Sequence, residues 1–305
     1  MNKILNFHLV NDAEWFEKII ILIKSKYHMV GIDTLEQYYG GKVELKNACH
    51  ITVDDGDETF YRIIYPVLKK HNVPASLYVS PKIFNEHINY WFQEIEGYDF
   101  RIVKQIVADM TGAPVEKLEP YPVWDMMKVL QIGMIHDVLA EYRKRTGTPL
   151  KPYQNMSIAE LKEVDQYGLV TIGGHTMNHP ILMNESDESS DYEISNSVTE
   201  LAALLGHPVK CFSYPNGIPG YDFTERECDT LKRNGIRLTF STEARDFSKK
   251  DNVYKIPRIG ISNSESMLFL KTKLFMGPLW LILKKLKPSG EYVNRVAIKK
   301  IIGQL

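Results

Sequence analysis

Cysteine is scarce in this chain, with three residues among 305, and the three are far apart. Cys49, Cys211 and Cys228 form no Cys-x-x-Cys pair, so neither a disulfide framework nor a paired-cysteine metal site is indicated. No apolar run is long enough to cross a bilayer, and the N-terminus carries no signal-peptide pattern. We therefore expect a reducing compartment, with the cytoplasm as the default location.

An excess of charge of one sign is also missing. The chain has 37 Lys and Arg against 38 Asp and Glu, which leaves a formal net charge of −1 at pH 7. This balance argues against a dedicated nucleic-acid binder, because such proteins neutralise phosphates with surplus basic residues. Hydrophobic residues make up 44% of the chain, which at this length is ample for a sizeable buried core. We expect one large folded domain or two small ones.

Short apolar runs alternate with amphipathic stretches along most of the chain. The runs predict buried strands and the stretches predict helices, and Asp12 and Ser157 are placed to cap two helix starts. This order is typical of parallel strands with helical crossovers, in a barrel or in an open doubly wound α/β sheet. The predicted strands are 4–9, 29–32, 49–53, 75–79, 169–172, 209–214, 237–240 and 254–259, and the predicted helices are 13–26, 59–71, 157–167, 192–205 and 225–234.

Two segments depart from this alternation. Residues 81–152 contain no convincing strand and are helical and aromatic, which predicts a helical insertion packed on the barrel; a lid over a substrate is the alternative. Residues 270–305 hold eight basic residues and one acidic residue, with Trp280 among the lysines. Such a basic amphipathic segment suits peripheral contact with an anionic membrane, and a packed C-terminal helix with a solvated basic face is the alternative. We expect a main unit over 1–269 and a basic extension over 270–305.

Three motifs carry chemistry, and each follows a predicted strand. In TVDDG, residues 52–56, two adjacent aspartates at a strand end point in different directions, so one can bind a metal while the other takes a proton. In GGHTMNHP, residues 173–180, His175 and His179 are four residues apart and are predicted to share one face of a helical turn. In FSYPNG, residues 212–217, a Pro-x-Gly turn can aim a backbone N–H at one point, as in an oxyanion hole.

The three motifs together favour a hydrolytic metal site. The carboxyl ends of parallel strands gather on one face of a barrel, where active sites lie. One aspartate and two histidines make a three-ligand set with room for water, and a free carboxylate adjoins them. A zinc-type ion there would acidify water, Asp54 would accept the proton, and an amide or ester carbonyl would be attacked.

The motifs resemble those of polysaccharide deacetylases of the NodB-homology type, carbohydrate esterase family 4. TVDDG is similar to the first family motif and HTMNHP to the second, while FSYPNG is similar to the third in the form common among intracellular members associated with surface polysaccharides. The resemblance covers roughly residues 5–262. It implies a distorted (β/α)7 barrel and metal-dependent removal of N-acetyl, sometimes O-acetyl, groups from sugars, a hydrolysis that cleaves a linear amide C–N bond in the N-acetyl case.

The resemblance also implies roles for single residues. Asp55, His175 and His179 would bind the divalent metal, with Zn2+ expected and Co2+ or Ni2+ as alternatives. Asp54 would be the general base. The backbone N–H of Asn216, which stands in place of the motif's tyrosine, would face the oxyanion.

Two positions depart from the family pattern. Ser213 stands where the family has an arginine that orients the base, and Arg258, near a later strand end, is expected to supply that charge. The family's late histidine, its general acid, has no counterpart after His207. His8, at the end of the first predicted strand, is the candidate for that role, and a structural histidine is the alternative.

The sequence therefore predicts a cytoplasmic, metal-dependent sugar N-deacetylase that acts during surface-polysaccharide or glycolipid assembly. Its partner would be an N-acetylated sugar, oligosaccharide or glycolipid and not a nucleic acid. An amide hydrolase of a small non-sugar substrate and a non-catalytic carbohydrate-binding homologue are the alternatives. Trp91 and Trp124 are candidates for stacking on a sugar ring, with core packing as the alternative.

Overall fold

Eight strands form one parallel sheet in the computed structural model, which describes residues 1–262, 265–275 and 290–303. The strand order is β7-β6-β5-β4-β3-β1-β8, and β2 pairs with the start of β3 outside this path. The strands are β1 Lys3–Phe7, β2 His28–Met29, β3 Ala48–Asp54, β4 Ala75–Val79, β5 Val170–Gly174, β6 Cys211–Ser213, β7 Leu238–Phe240 and β8 Ile259–Gly260.

The sheet closes into a distorted barrel because the segment 256–260 contacts both edge strands of the sheet, β7 and β1. Ile256 makes a parallel bridge with Phe240 of β7, and β8 pairs with β1 at Leu5 and Asn6. Seven strand positions thus lie around the ring. The single bridge to β7 leaves the barrel partly open there, as in the distorted (β/α)7 barrel that the family resemblance implied.

Helices connect most of the strands, and their caps match the sequence signals. The Asp12 side chain accepts the Trp15 N–H at the start of α1, and Ser157 and Glu160 form a reciprocal capping box at α10. A π-helical turn, Phe60–Ile64, precedes α3, and a 3-10 turn, Leu182–Asn184, precedes α11. The helices are α1 Ala13–Lys24, α2 Ile32–Tyr39, α3 Tyr65–His71, α4 Pro81–Asn85, α5 Trp91–Ile95, α6 Phe100–Thr111, α7 Val115–Leu118, α8 Val123–Met127, α9 Ile132–Thr146, α10 Ile158–Tyr167, α11 Asp187–Leu205, α12 Glu225–Arg233, α13 Met267–Phe275 and α14 Gly290–Ile301.

Helix α2 was not predicted, and two predicted strands, 29–32 and 254–259, are displaced from β2 and β8. The predicted strand 29–32 ends at Met29, and Ile32 instead begins α2. Gly31 adopts the extended conformation of an N-cap, and Ile32, Leu35 and Tyr38 form a buried face with helical spacing. The apolar residues of 29–32 form one continuous run in the sequence, which predicts a single strand. The run contains the N-cap Gly31, so it spans both the end of β2 and the start of α2.

Residues 81–152 contain α4 to α9 and no strand, as the sequence predicted. From Trp91 onward their buried apolar side chains form a hydrophobic cluster separate from that of the barrel, with Ile106, Leu118 and Val138 among its fully buried members, while Ile83, Phe84 and Tyr90 belong to the barrel cluster. Ile298 of α14 belongs to this second cluster. The helical insertion therefore has a core of its own, to which the C-terminal helix contributes.

The described parts of the C-terminal segment pack on the rest of the molecule. Leu270 and Leu274 of α13 belong to the barrel cluster, and Ile298 of α14 is fully buried in the insertion cluster. Trp280 lies outside the described residues, together with three of the eight basic residues, Lys284, Lys285 and Lys287. Among the described helices, none is both long enough and apolar enough to cross a bilayer.

Polar side chains inside the barrel satisfy one another. His50 of β3 donates from Nδ1 to the Val30 carbonyl oxygen at 2.7 Å and accepts at Nε2 from the Ser76 hydroxyl at 2.9 Å. His50 is fully buried, and burial lowers its pKa to about 4. The imidazole is therefore neutral and fixed in one tautomer below the site described next.

Candidate active site

Three ligand atoms converge at the carboxyl edge of the sheet. Asp55 follows β3, and His175 directly follows β5. The Oδ1 atom of Asp55 lies 3.5 Å from Nε2 of His175 and 3.7 Å from Nε2 of His179. All three residues are buried, and their ligand atoms lie within 4.8 Å of one another. Nitrogen and oxygen ligands about 2.0–2.2 Å from one zinc-sized ion have separations of this order.

The chemistry of these atoms fits a divalent cation. Among the described residues, Oδ1 of Asp55 is buried without a hydrogen-bond partner. The Nδ1 atom of His175 donates to the Ser213 carbonyl oxygen at 2.7 Å, which leaves the lone pair of Nε2 directed toward Asp55. Burial, and then the charge of Asp54, raise the pKa of Asp55, while burial lowers the pKa of His175 to about 4. A bound cation would compensate a buried carboxylate placed beside neutral imidazoles.

The loop that joins the two histidines is not helical, so the predicted helical turn is wrong. Thr176 and His179 have left-handed backbones, with φ of 66° and 59°. The Thr176 hydroxyl accepts the His179 N–H at 3.0 Å, and Glu193 of α11 accepts the N–H groups of Met177 and Asn178 at 2.9 and 2.8 Å. These contacts satisfy an irregular backbone and bring the imidazoles together.

Glu193 is a residue that the sequence interpretation missed. It is buried on α11, and besides the two backbone N–H groups it accepts the Asn178 side-chain amide at 2.6 Å. Ser190 and Ser197, three residues before it and four after it, are buried on the same helix face. A buried carboxylate needs a hydrogen-bond partner. The position of Glu193 among small residues on a buried helix face is therefore the sequence signal that could have identified it.

Two glycines before His175 allow a close approach between neighbouring strands. A Cβ atom at Gly173 would lie 2.5 Å from a ring carbon of Tyr78 and 2.7 Å from the Cys211 carbonyl oxygen. At Gly174 a Cβ atom would lie 2.8 Å from the Phe212 ring. The end of β5 can therefore pack between β4 and β6 only without side chains.

Asp54 forms a buried ion pair with Arg258. The two guanidinium nitrogens Nη1 and Nη2 donate to Oδ1 at 2.8 Å and to Oδ2 at 2.9 Å, and both residues are buried. Asn6 of β1 donates a further hydrogen bond to Oδ2 at 3.1 Å. Burial opposes ionisation of Asp54, but the charge of Arg258, followed by smaller contributions of His175 and His8, outweighs it and lowers the pKa. Asp54 is thus a carboxylate at neutral pH.

Arg258 reaches Asp54 across the position where the family pattern has its own arginine. Ser213, which stands there, accepts a hydrogen bond from Nη2 of Arg258 at 2.6 Å and donates to Oδ2 of Asp54 at 3.4 Å. The small side chain leaves room for a guanidinium that enters from the segment before β8. The structure therefore places Arg258 in contact with both Asp54 and Ser213.

His8 and Asn216 lie at the mouth of the site. Nε2 of His8 is 3.7 Å from Oδ2 of Asp54, and its side chain is 53% exposed. Asn216 has a left-handed backbone with φ of 56°, and its carbonyl oxygen accepts from the Thr242 hydroxyl. Its backbone N–H has no hydrogen-bond partner among the described residues. Both candidates therefore border the same space as the three ligand atoms.

A cavity of about 320 Å³ opens on these groups, and the helical insertion supplies one of its walls. Trp91 of α5 is buried and donates from Nε1 to the His179 carbonyl oxygen at 3.0 Å, and the Phe92 ring lies 4.9 Å from the His179 ring. Trp124 and Lys128 also line the cavity. Apolar rings beside convergent polar groups are typical of a site that binds a sugar.

The polysaccharide deacetylase family model matches residues 42–118 and 125–239 of this sequence. The chain belongs to the polysaccharide deacetylase family. The matched ranges include the three motifs up to residue 217 and much of the helical insertion. Membership in this enzyme family confirms the class of enzyme that the sequence predicted.

Curated and solved relatives of this deacetylase-family chain agree with that assignment. The poly-beta-1,6-N-acetyl-D-glucosamine N-deacetylase of Staphylococcus aureus is 23% identical over 291 residues, an alignment that covers 85% of this chain and 78% of that protein. A de-N-acetylase from Aggregatibacter actinomycetemcomitans superposes with a TM-score of 0.60 at 17% identity, covering 89% of this chain and 99% of the other. The deacetylase PplD of Streptococcus pyogenes gives 0.58 at 15% identity, covering 89% and 96%. These likenesses confirm the barrel fold.

Proposed function

We propose that this protein is a metal-dependent hydrolase that removes N-acetyl groups from a polysaccharide containing N-acetylglucosamine. The convergence of Asp55, His175 and His179 beside an ionised Asp54 carries the proposal. The printed name of the Staphylococcus aureus relative supports the substrate class. The intact ligand set favours catalysis over a purely carbohydrate-binding role, which needs neither a ligand set nor a base.

The ion would be held by Oδ1 of Asp55 and by Nε2 of His175 and His179. When bound, a divalent cation such as zinc lowers the pKa of a water molecule and polarises an amide carbonyl. Asp54 accepts the proton of the attacking water, since its carboxylate is ionised and adjoins the ligand set. Arg258 keeps Asp54 charged and in one orientation through two hydrogen bonds.

Two further groups complete the reaction. The backbone N–H of Asn216 donates to the oxygen of the attacked carbonyl as negative charge develops there. His8, half-exposed and 3.7 Å from Asp54, protonates the departing amine nitrogen of the sugar. Because its side chain reaches solvent, His8 can regain a proton between turnovers.

Acetate release from chitotetraose and from a β-1,6-linked N-acetylglucosamine tetramer tests the proposal. We expect Asp54→Asn to lower kcat by at least about 10²-fold, because it removes the proton acceptor. His179→Ala should abolish both activity and zinc binding. His207→Ala is the matched control, since His207 is exposed and pairs with Asp165 rather than with site residues. If the His179→Ala protein released acetate at the wild-type rate, the proposal would be refuted.

A further inference from the structure

A second cavity of about 280 Å³ lies beside the active-site cavity and shares one lining residue with it. Trp91 lines both cavities. Lys82, at the edge of the second cavity, donates from Nζ to Oδ1 of Asn178, the residue before His179, at 2.8 Å. The second cavity therefore adjoins the loop that carries the histidines.

The second cavity is lined by cations that have no carboxylate partner. Lys82, Arg143 and Lys151 face it, and among the described residues none of them forms an ion pair. The ammonium groups of Lys82 and Lys151 donate to the neutral oxygens of Asn178 and of the Gln93 main chain. Three positively charged side chains thus border one cavity without a direct ion pair among the described residues.

One carboxylate, that of Glu94, lies among the described lining residues, and it is already engaged. Glu94 is buried; Oε1 accepts from the Asn89 side chain at 2.8 Å, and Oε2 accepts from the Lys151 backbone N–H at 3.3 Å. Its hydrogen bonds hold the loop together rather than neutralising the lysine and arginine head groups. With the histidines counted as neutral, the lining carries three positive formal charges and one negative formal charge, so its net charge is positive.

The remaining lining suits a sugar ring. The His87 imidazole stacks on the Tyr153 ring, with 3.9 Å between centroids. Leu139 and Leu150 add apolar surface. Rings and apolar side chains combined with a few charged groups are typical of sites that hold a carbohydrate by one face and by its substituents.

We propose that the second cavity is a subsite for an anionic sugar residue whose carboxylate or phosphate group faces Lys82, Arg143 and Lys151. That residue adjoins, in the same polymer, the N-acetylated residue that occupies the active-site cavity. The inference rests on the proposed function and narrows its substrate to an acidic heteropolysaccharide. A neutral homopolymer would leave the three cations without a counter-charge.

Isothermal titration with zinc-loaded Asp54→Asn protein tests the subsite without turnover. The probes are chitotetraose, a tetrasaccharide that alternates N-acetylglucosamine with glucuronate, and a dimer of N-acetylglucosamine 1-phosphate. We expect at least one acidic probe to bind about tenfold more tightly than chitotetraose, and the preference to fall as salt rises. Which acidic probe binds more tightly distinguishes a carboxylate from a phosphate.

Arg143→Met and Lys151→Met, each added to this protein, should abolish most of the preference for the acidic probe. Lys144→Met is the matched control, because Lys144 follows Arg143 on α9 but is exposed and lies near Glu141. Equal affinities for acidic and neutral probes, or the same effect from Lys144→Met, would overturn the subsite. Failure of the proposed function is read separately, as absence of acetate release by the wild-type enzyme from chitotetraose, from the β-1,6-linked tetramer and from both acidic probes.

Discussion

Asp54 and Asp55 are adjacent in the chain, yet their surroundings give them opposite acidities. The pKa of Asp54 is lowered because the charge of Arg258 outweighs burial, and the pKa of Asp55 is raised by burial and by the charge of Asp54. Asp55 has a left-handed backbone with φ of 76°, which turns its side chain away from that of Asp54. The sequence predicted two carboxylates with different roles, but it could not show the backbone conformation that separates them.

Arg258 makes a direct prediction about stability. Arg258→Met leaves the buried carboxylate of Asp54 without a counter-charge, so we expect a loss of about 3–5 kcal/mol in the free energy of unfolding. Urea unfolding followed by circular dichroism measures it. Arg258→Lys keeps the charge but loses the bidentate geometry, so its loss should be smaller. A methionine variant as stable as the wild type would contradict this account of Asp54.

At the scale of secondary-structure elements, α14 contacts the loop 216–222, which begins with Asn216. Nη1 of Arg295 lies 2.8 Å from Oδ1 of Asp222, and both side chains are buried. The other carboxylate oxygen of Asp222 accepts the Ile218 N–H at 2.9 Å. The guanidinium of Arg295 also lies 4.0 Å from the centre of the Tyr221 ring. The C-terminal helix thus supports the turn that presents the proposed oxyanion donor.

Replacing one or both partners separates this ion pair from simple packing. Arg295→Met should cost about 3–5 kcal/mol, because Asp222 stays buried without its partner. The double variant Asp222→Asn/Arg295→Met should recover part of that loss, since no charge is left uncompensated. Both values come from urea unfolding. A double variant less stable than Arg295→Met would show that packing, and not charge, joins α14 to the turn.

The hydrophobic periodicity of the sequence located strands and helices well where the capping residues indicated the same boundaries. The strand 75–79 matches β4, and the helix predicted from Ser157 to Tyr167 matches α10 together with its capping residue. It failed where a few contacts overrule local preference. The two histidines lie in an irregular loop whose backbone N–H groups donate to the Glu193 carboxylate. A local sequence pattern cannot reveal this contact, because Glu193 lies on a different element, 14 residues after His179.

For the whole molecule, the strand pattern predicted which residues lie at the carboxyl edge, whereas the pairing of Arg258 with Asp54 was expected only from the family resemblance. Arg258 and Asp54 are separated by 204 residues, and the parallel ring brings them into contact. The sequence left Trp91 as either a sugar-stacking residue or a core residue, because an aromatic residue in a helical segment fits a core as well as a cavity; the structure makes it a buried wall of the cavity. The second cavity depends on the same tertiary arrangement.

His50 makes a prediction about acid stability of the whole fold. Its pKa is 6.5 in the unfolded chain and about 4 when buried, so the folded state favours the neutral imidazole. The contribution of neutral His50 to the free energy of unfolding, on the order of 3 kcal/mol, is complete above pH 6.5. It is lost as the pH falls from 6.5 toward 4, because the unfolded chain binds the proton more tightly. Urea unfolding between pH 4 and 8 should therefore show a shallower pH dependence for His50→Gln than for the wild type. Parallel curves would contradict the assignment of a neutral buried His50.

The cytoplasmic location and the membrane contact through residues 270–305 stay predictions. Deleting that segment is not a clean test, because Arg295 and Ile298 are buried in the body of the molecule. Replacing Lys284, Lys285 and Lys287 with glutamine leaves those contacts in place. If the segment binds anionic vesicles, this triple variant should sediment less with them than the wild type; equal sedimentation would leave the basic segment without a membrane role.

Anomalous diffraction from zinc-soaked crystals, recorded on both sides of the zinc absorption edge, tests the central claim most directly. The account predicts one strong peak about 2.0–2.2 Å from Oδ1 of Asp55 and from Nε2 of His175 and His179, with Asp54 outside the coordination shell. A fully soaked crystal with no peak among these three atoms, or with its strongest peak elsewhere in the molecule, would contradict it.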